Sequence, residues 1–245
     1  MRPEHPAPEP PKAFPVKTVK RIFLLFVAAL LGGMFLLYGA MAATFPDTAK
    51  LGVKEGDIVF QTVLGTQGYA IIFASKSAYT HMGFIRMTKD GPVVVEAVGP
   101  VKETPLEAWI NRGVYKRLAV MRLKAPKKDT FKKALGWAKK HYGKPYDIFF
   151  LPGDDEFYCS ELVRGAFKEG TGIPLGKIEK VKDLTSSAAM DKVIEQRWPF
   201  YPPCRGKKGM TFEKCLGIIK EQELVTPASI ARDPALESVY SNYPG

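Results

Sequence analysis

The segment Phe157-Tyr158-Cys159-Ser160-Glu161-Leu162-Val163 carries the side chain best suited to nucleophilic chemistry in this 245-residue chain. Leu162, Val163, Ala166 and Phe167 recur at helical spacing, so the sequence predicts a helix beginning near Cys159 and stopping at Gly170. A Cys in the first turn of a helix sits beside backbone N–H groups that favour thiolate over thiol, which gives it nucleophilic character near neutral pH. It then needs a proton acceptor, and the chain offers three His. His5 precedes a long apolar run, and His141 ends a Lys-rich helical stretch where the helix dipole favours a solvated imidazole. His81 opens Thr80-His81-Met82-Gly83-Phe84-Ile85, beside a Gly that permits close approach. Cys159 and His81 are therefore the candidate nucleophile and base. The competing reading makes them a small core residue and a hydrogen-bonded structural imidazole. No G-x-S-x-G motif occurs, and the Cys and His count does not suit a four-ligand zinc site; no metal or cofactor is implied.

The elements that must hold this pair in place read as a mixture of strands and helices. Gly56-Asp57 forms a turn into the apolar Ile58-Val59-Phe60, and residues 80–87 and 92–98 form β-rich runs around Thr88-Lys89-Asp90-Gly91, with Asp-Gly as a hairpin signal. Residues 114–123 alternate as a further strand. Asp129 is placed to cap a helix reaching 141 or 142, before Gly143 and Pro145, and another helix is expected from about Phe212 to Glu221. The absence of regular βαβ alternation predicts an α+β fold with an antiparallel sheet. No internal repeat or long low-complexity stretch interrupts residues 46–245, which read as one domain.

Five segments in this order resemble the YiiX/YaeF-type permuted papain-like amidases: Gly56-Asp57-Ile58-Val59-Phe60, Thr80-His81-Met82-Gly83, Val94-Val95-Glu96-Ala97, Tyr142-Gly143-Lys144-Pro145-Tyr146-Asp147 and Tyr158-Cys159-Ser160-Glu161-Leu162-Val163. The resemblance covers residues 56–183, and Pro227-Ala228-Ser229 before Tyr240 also fits. It implies a circularly permuted papain-like (NlpC-type) fold in which the His precedes the Cys. It also implies hydrolysis of a peptide or amide of cell-wall type, with Cys159 as nucleophile, His81 as general base and Glu96 as the orienting third residue. The backbone N–H of Cys159 is the natural first oxyanion donor. Glu96 meets a geometric objection. If Asp90-Gly91 were a two-residue turn, Ile85 would face Glu96, and His81 would lie four residues, or about 13 Å, away along the ladder. The implied role therefore requires a longer loop, a bulge or another register; otherwise Glu96 is an exposed strand carboxylate.

Location is read from the N-terminus. Residues 22–45 contain no charged side chain, and about 20 apolar residues span a bilayer. Five basic and two acidic side chains precede the run, which predicts a cytoplasmic tail at 1–21, a transmembrane anchor at 22–45 and a domain at 46–245 outside the cytoplasm, on the periplasmic side in a Gram-negative cell. Ala40-Met41-Ala42 offers the alternative of signal cleavage and a secreted domain. The net charge of +11 suggests an anionic neighbour, and export argues against nucleic acid. In an oxidising compartment Cys204 and Cys215 could bridge and leave Cys159 free; all three staying reduced is the alternative. Two other functions fit these residues: a lecithin:retinol-acyltransferase-like enzyme acting on lipid esters beside the bilayer, and a non-catalytic basic module that binds an anionic envelope polymer.

Overall fold

The structure, a computed structural model, describes residues 27–28, 51–65, 71–72, 74–184 and 188–244. Apart from two residues, the tail, the apolar run and the candidate cleavage site lie outside these. Among the described residues no helix is long and apolar enough to cross a membrane, so the expected N-terminal span finds no support in the structure.

Six strands form one antiparallel sheet: β1 (Ile58–Gln61), β2 (His81–Thr88), β3 (Gly91–Ala97), β4 (Val101–Pro105), β5 (Ala119–Leu123) and, near the C-terminus, β8 (Leu236–Ser241). Their order is β4-β3-β2-β1-β5-β8. A separate two-stranded ribbon pairs β6 (Ile178–Lys180) with β7 (Glu223–Val225). The helices are α1 (Leu106–Arg112), α2 (Thr130–Lys139), α3 (Cys159–Thr171), α4 (Ala188–Arg197), α5 (Phe212–Glu221) and α6 (Pro227–Ala231). From Leu51 onward these elements pack as one compact unit.

Alternation along the strands gives the sheet two apolar faces. Ile58, Phe60, Met82, Phe84 and Val95 point to one face, where Leu162, Val163, Ala166 and Phe167 of α3 and Ala134 and Ala138 of α2 cover them. Val59, Ile85, Val94 and Val120 point to the other, against Leu106, Trp109 and Ile110 of α1. Gly165 lets α2 approach α3 closely, since a Cβ there would lie 2.4 Å from the Trp137 ring. A third cluster forms around the Cys204–Cys215 disulfide, whose Cα atoms are 5.8 Å apart, with Val181, Tyr201 and Ile219.

Several expectations are corrected in detail. Residues 114–116 form a 3-10 turn in which Tyr115 and Lys116 have positive φ, so the strand is confined to Ala119–Leu123. Asp129 precedes α2 with φ of 67° and makes no side-chain cap bond, and the helix ends at Lys139. Helix α3 runs through Gly170 to Thr171, where Gly172 in the left-handed region terminates it.

Candidate active site

The register between β2 and β3 decides where Glu96 lies. Thr88 pairs with Gly91, making Lys89-Asp90 the two loop residues, and the ladder runs Met87 to Pro92, Ile85 to Val94 and Phe84 to Val95. Thr88 fixes this turn by donating to the Gly91 carbonyl (2.7 Å) and accepting from the Asp90 N–H (3.2 Å). Continuing the ladder puts Glu96 opposite Gly83, two residues from His81 on the same face, or about 7 Å along the strand rather than 13 Å. The expected register is corrected by two positions, and no bulge is needed. Gly83 makes this approach possible, because a Cβ there would lie 2.5 Å from the Val95 carbonyl oxygen. The carboxylate of Glu96 spans the remaining gap: its Oε2 is 2.6 Å from His81 Nε2.

Glu96 is fully buried, not the exposed strand carboxylate of the competing reading, and it is held on every side. Thr104 Oγ1 donates to Oε1 at 2.6 Å, while Trp109 Nε1 and an Arg112 guanidinium nitrogen donate to Oε2 at 2.9 and 2.5 Å. Burial alone would raise its carboxyl pKa; the imidazole and these donors outweigh burial and hold it at about 2.

Cys159 reaches the site from the opposite face, as the first residue of α3, and it is the one free cysteine among the described residues. Three contacts fix the start of this helix. Phe157 N–H donates to the Pro145 carbonyl (3.0 Å), Asp147 N–H to the Phe157 carbonyl (3.2 Å), and Ser160 Oγ to the Val225 carbonyl (2.8 Å). The residue before the helix, Tyr158, supplies no side-chain cap, so the first-turn N–H groups stay available. Cys159 and the His81 ring interact directly, and the imidazole lowers the thiol pKa. Nε2 of the ring is committed to Glu96. Burial would raise the thiol pKa, but His81 and the backbone N–H groups of Met82 and Ser160 lower it below the usual thiol range. The imidazole feels the same balance: burial would lower its pKa, yet Cys159 first and Glu96 second raise it to about 9. The coupling therefore favours the thiolate–imidazolium form of the pair over the neutral one.

The sequence reasoning assigned no role to several residues that the structure brings to this centre. The Tyr146 side chain lies against Cys159; burial first and the cysteine second push its pKa well above the phenol range. Its place beside a Cys, between Pro145 and Asp147 in one of the five segments, was the available signal. Trp109 and Arg112 come from α1, which no periodicity announced. Asp147 and Glu161 lie close behind the site, each with one buried, unpaired carboxylate oxygen, and burial raises both pKa values, that of Glu161 to about 8. His141, expected to be solvated, is half-buried and packs at a tilt against the Trp137 and Phe157 rings, with centroids 4.1 and 4.6 Å away.

Two cavities flank the Cys159–His81 pair and share Ile71 and Arg197 in their walls. One, of about 140 Å³, is almost wholly apolar and has Phe149, Phe150, Tyr158, Ile194, Trp198 and Leu224 among its walls, with Cys159 at its edge. The other, of about 380 Å³, is more open and polar and exposes His81, Thr80, Tyr146, Arg112 and Arg197.

A family profile described as "Permuted papain-like amidase enzyme, YaeF/YiiX, C92 family" matches residues 52–240. The chain is 32% identical over 193 residues to the uncharacterized protein YiiX of Escherichia coli (strain K12), which covers 78% of this chain and 88% of that protein. It is similar in structure to YiiX from Escherichia coli O157:H7, with a TM-score of 0.67 and 33% identity over 78% of this chain and 98% of that one; the crystal structure of that protein describes it as a metalloprotein. The donors here do not fit a metal centre. Among the described residues no three His, Cys, Asp or Glu side chains are grouped to hold an ion, and Cys159, His81 and Glu96 are already engaged with one another.

Proposed function

Because this chain belongs to the YaeF/YiiX, C92 family of permuted papain-like amidases, a family of papain-like cysteine hydrolases, we propose that it cleaves an amide bond through Cys159. The observation that carries this reading is the His81 imidazole, bonded to the buried Glu96 carboxylate and acting on the Cys159 thiol to lower its pKa. The thiolate attacks the carbonyl carbon and the C=O electrons move to oxygen, forming a tetrahedral oxyanion. The Cys159 N–H and the Tyr146 O–H are the donors placed beside it, each worth up to ~3–4 kcal/mol where such holes have been dissected. Collapse breaks the C–N bond as His81 gives its proton to the departing amine, leaving a thioester. Water then attacks the thioester while His81 takes its proton, and the thiolate leaves. Glu96 keeps the ring oriented and stabilises its charged form.

The natural setting we infer is the cell envelope, with peptide or amide material of cell-wall type as the substrate. The uncharged run at 22–45, the basic residues before it and the Cys204–Cys215 disulfide support this setting. The apolar cavity beside Cys159 favours a second reading, in which the substrate presents an acyl chain, as in a lipid ester or N-acyl amide. Labelling the full chain with a thiol-directed activity probe, then comparing peptide amides with acyl amides and esters, tests both. Cys159→Ala should lose labelling and turnover while keeping its circular dichroism spectrum. Turnover surviving in that folded variant defeats the cysteine reading. A reporter fused after Gly245 that is active inside the cytoplasm defeats the envelope assignment.

A further inference from the structure

We propose that the cavity on the His81 side of Cys159 is an anion subsite, in which Arg197 holds a carboxylate or phosphate group of the substrate. The proposal rests on the hydrolase reading, because it places this group in the same reaction cleft. Its basis is the charge inventory of that cavity. Arg112 and Arg197 line it together with His81, and none of its described lining residues is Asp or Glu. Two of these charges are already balanced locally. Arg112 is paired with Glu96 beneath the floor, and His81 with Glu96 and Cys159. Arg197 is the remaining one: among the described residues it has no carboxylate partner, and it donates to the Ile148 carbonyl at 3.0 Å. A guanidinium carries five N–H donors, so most of its fork remains available for two oxygens of one anion.

The position of Arg197 narrows the chemistry further. It is the last residue of α4 and borders both cavities, the polar one and the apolar one beside the thiol. Arg197 and Cys159 both line the apolar cavity, so a group held by Arg197 shares one cleft with the thiol, and an apolar remainder has that cavity to enter. The substrate class that fits is an amphiphile with an anionic group close to the bond that is cut. An apolar cavity of about 140 Å³ is comparable with one that accepts benzene, so about six carbons suffice to fill it.

The test is binding to the full-length Cys159→Ala protein, measured by calorimetry with N-hexanoylglycine, hexyl phosphate and the neutral N-hexanoylglycinamide. Both anions should bind about tenfold or more tightly than the neutral probe at low salt, as expected for a charge-assisted bidentate contact. Adding Arg197→Gln should remove that preference, Arg197→Lys should restore part of it, and raising the ionic strength should shrink it. Stronger binding of the phosphate identifies a phosphorylated substrate, and stronger binding of the carboxylate identifies an acidic amide. Equal affinity for all three probes, or a preference that survives Arg197→Gln, overturns the subsite. Turnover is not needed here, so a wild-type protein that hydrolyses nothing counts against the hydrolase reading and leaves the binding result to be judged separately.

Discussion

Replacing Glu96 by Gln keeps the shape of the side chain and its place opposite Gly83 but removes the negative charge 2.6 Å from the His81 ring. In the native site the imidazole pKa stands at about 9 against an ordinary 6.5, and the difference corresponds to about 3 kcal/mol favouring the charged ring. Cys159 contributes the larger share of that rise and Glu96 the smaller. Withdrawing the carboxylate charge should therefore lower the His81 midpoint by about one pH unit, or ~1.4 kcal/mol, to near 8. The direct assay is NMR titration of the imidazole protons, with His81→Ala identifying its resonance among the three histidines. The sign carries over to stability. A folded pKa above the unfolded value contributes stability that is fully present below 6.5 and lost as pH rises through 9. In Glu96→Gln that loss should set in about one unit earlier, and the alkaline limb of kcat/KM should move with it. A His81 midpoint within about 0.3 of the native one would mean that Glu96 does not stabilise the imidazolium, and the proposed third role would fall.

The acid limb of stability should carry the opposite signature from Glu96 itself. Its folded pKa of about 2 lies below the ordinary 4.5, so its contribution of ~3 kcal/mol is present above 4.5 and disappears as pH falls through 2; urea unfolding of Glu96→Gln should lack that step. His81→Ala should raise the Cys159 thiol pKa, seen as an alkaline displacement of the iodoacetamide alkylation profile; an unchanged profile would separate the two residues. Joint Cys204→Ser and Cys215→Ser replacement opens a loop with a sequence separation of 11 and should cost about 3 kcal/mol in unfolding free energy; a loss near zero would show that the surrounding cluster stands without the bridge. Gln61, opposite His81 and completely buried with neither amide atom paired, should be replaceable by Met with a gain in thermal midpoint; a marked fall would reveal bonds to internal water.

What was legible in the sequence is what local chemistry encodes. The nucleophile helix showed itself through its apolar stripe and a Cys in the first turn, and the β2–β3 hairpin through its flanking β-rich runs. The register of that hairpin was misread because Asp-Gly usually supplies the two loop residues, whereas here the Thr88 side chain fixes Lys89-Asp90 in the loop and passes Gly91 to the strand. That displacement by two positions turned Glu96 from a distant carboxylate into a neighbour of the imidazole. The cradle of Glu96 was illegible for another reason. Trp109 and Arg112 belong to a seven-residue helix with no side-chain cap, too short for periodicity to declare it, and they meet Glu96 only through the tertiary fold. Likewise, alternation suggested a strand at 114–116, where left-handed backbone at Tyr115 and Lys116 breaks it.

The order of the three thiols along the chain places a demand on biosynthesis. Only the Cys204–Cys215 pairing leaves the proposed nucleophile free; either bond from Cys159 to the tail would consume it. Cys159 emerges first during synthesis, and Cys204 is the next thiol to meet it. Oxidation in order of appearance would therefore make an inert product. The mature fold withdraws Cys159 into a core where it is 2% exposed, but that core also needs Val225 and Ile230, which follow both tail cysteines. Protection by burial is complete only after the last cysteine has been made, so maturation depends on slow oxidation or on a catalyst of disulfide exchange that undoes the wrong bond.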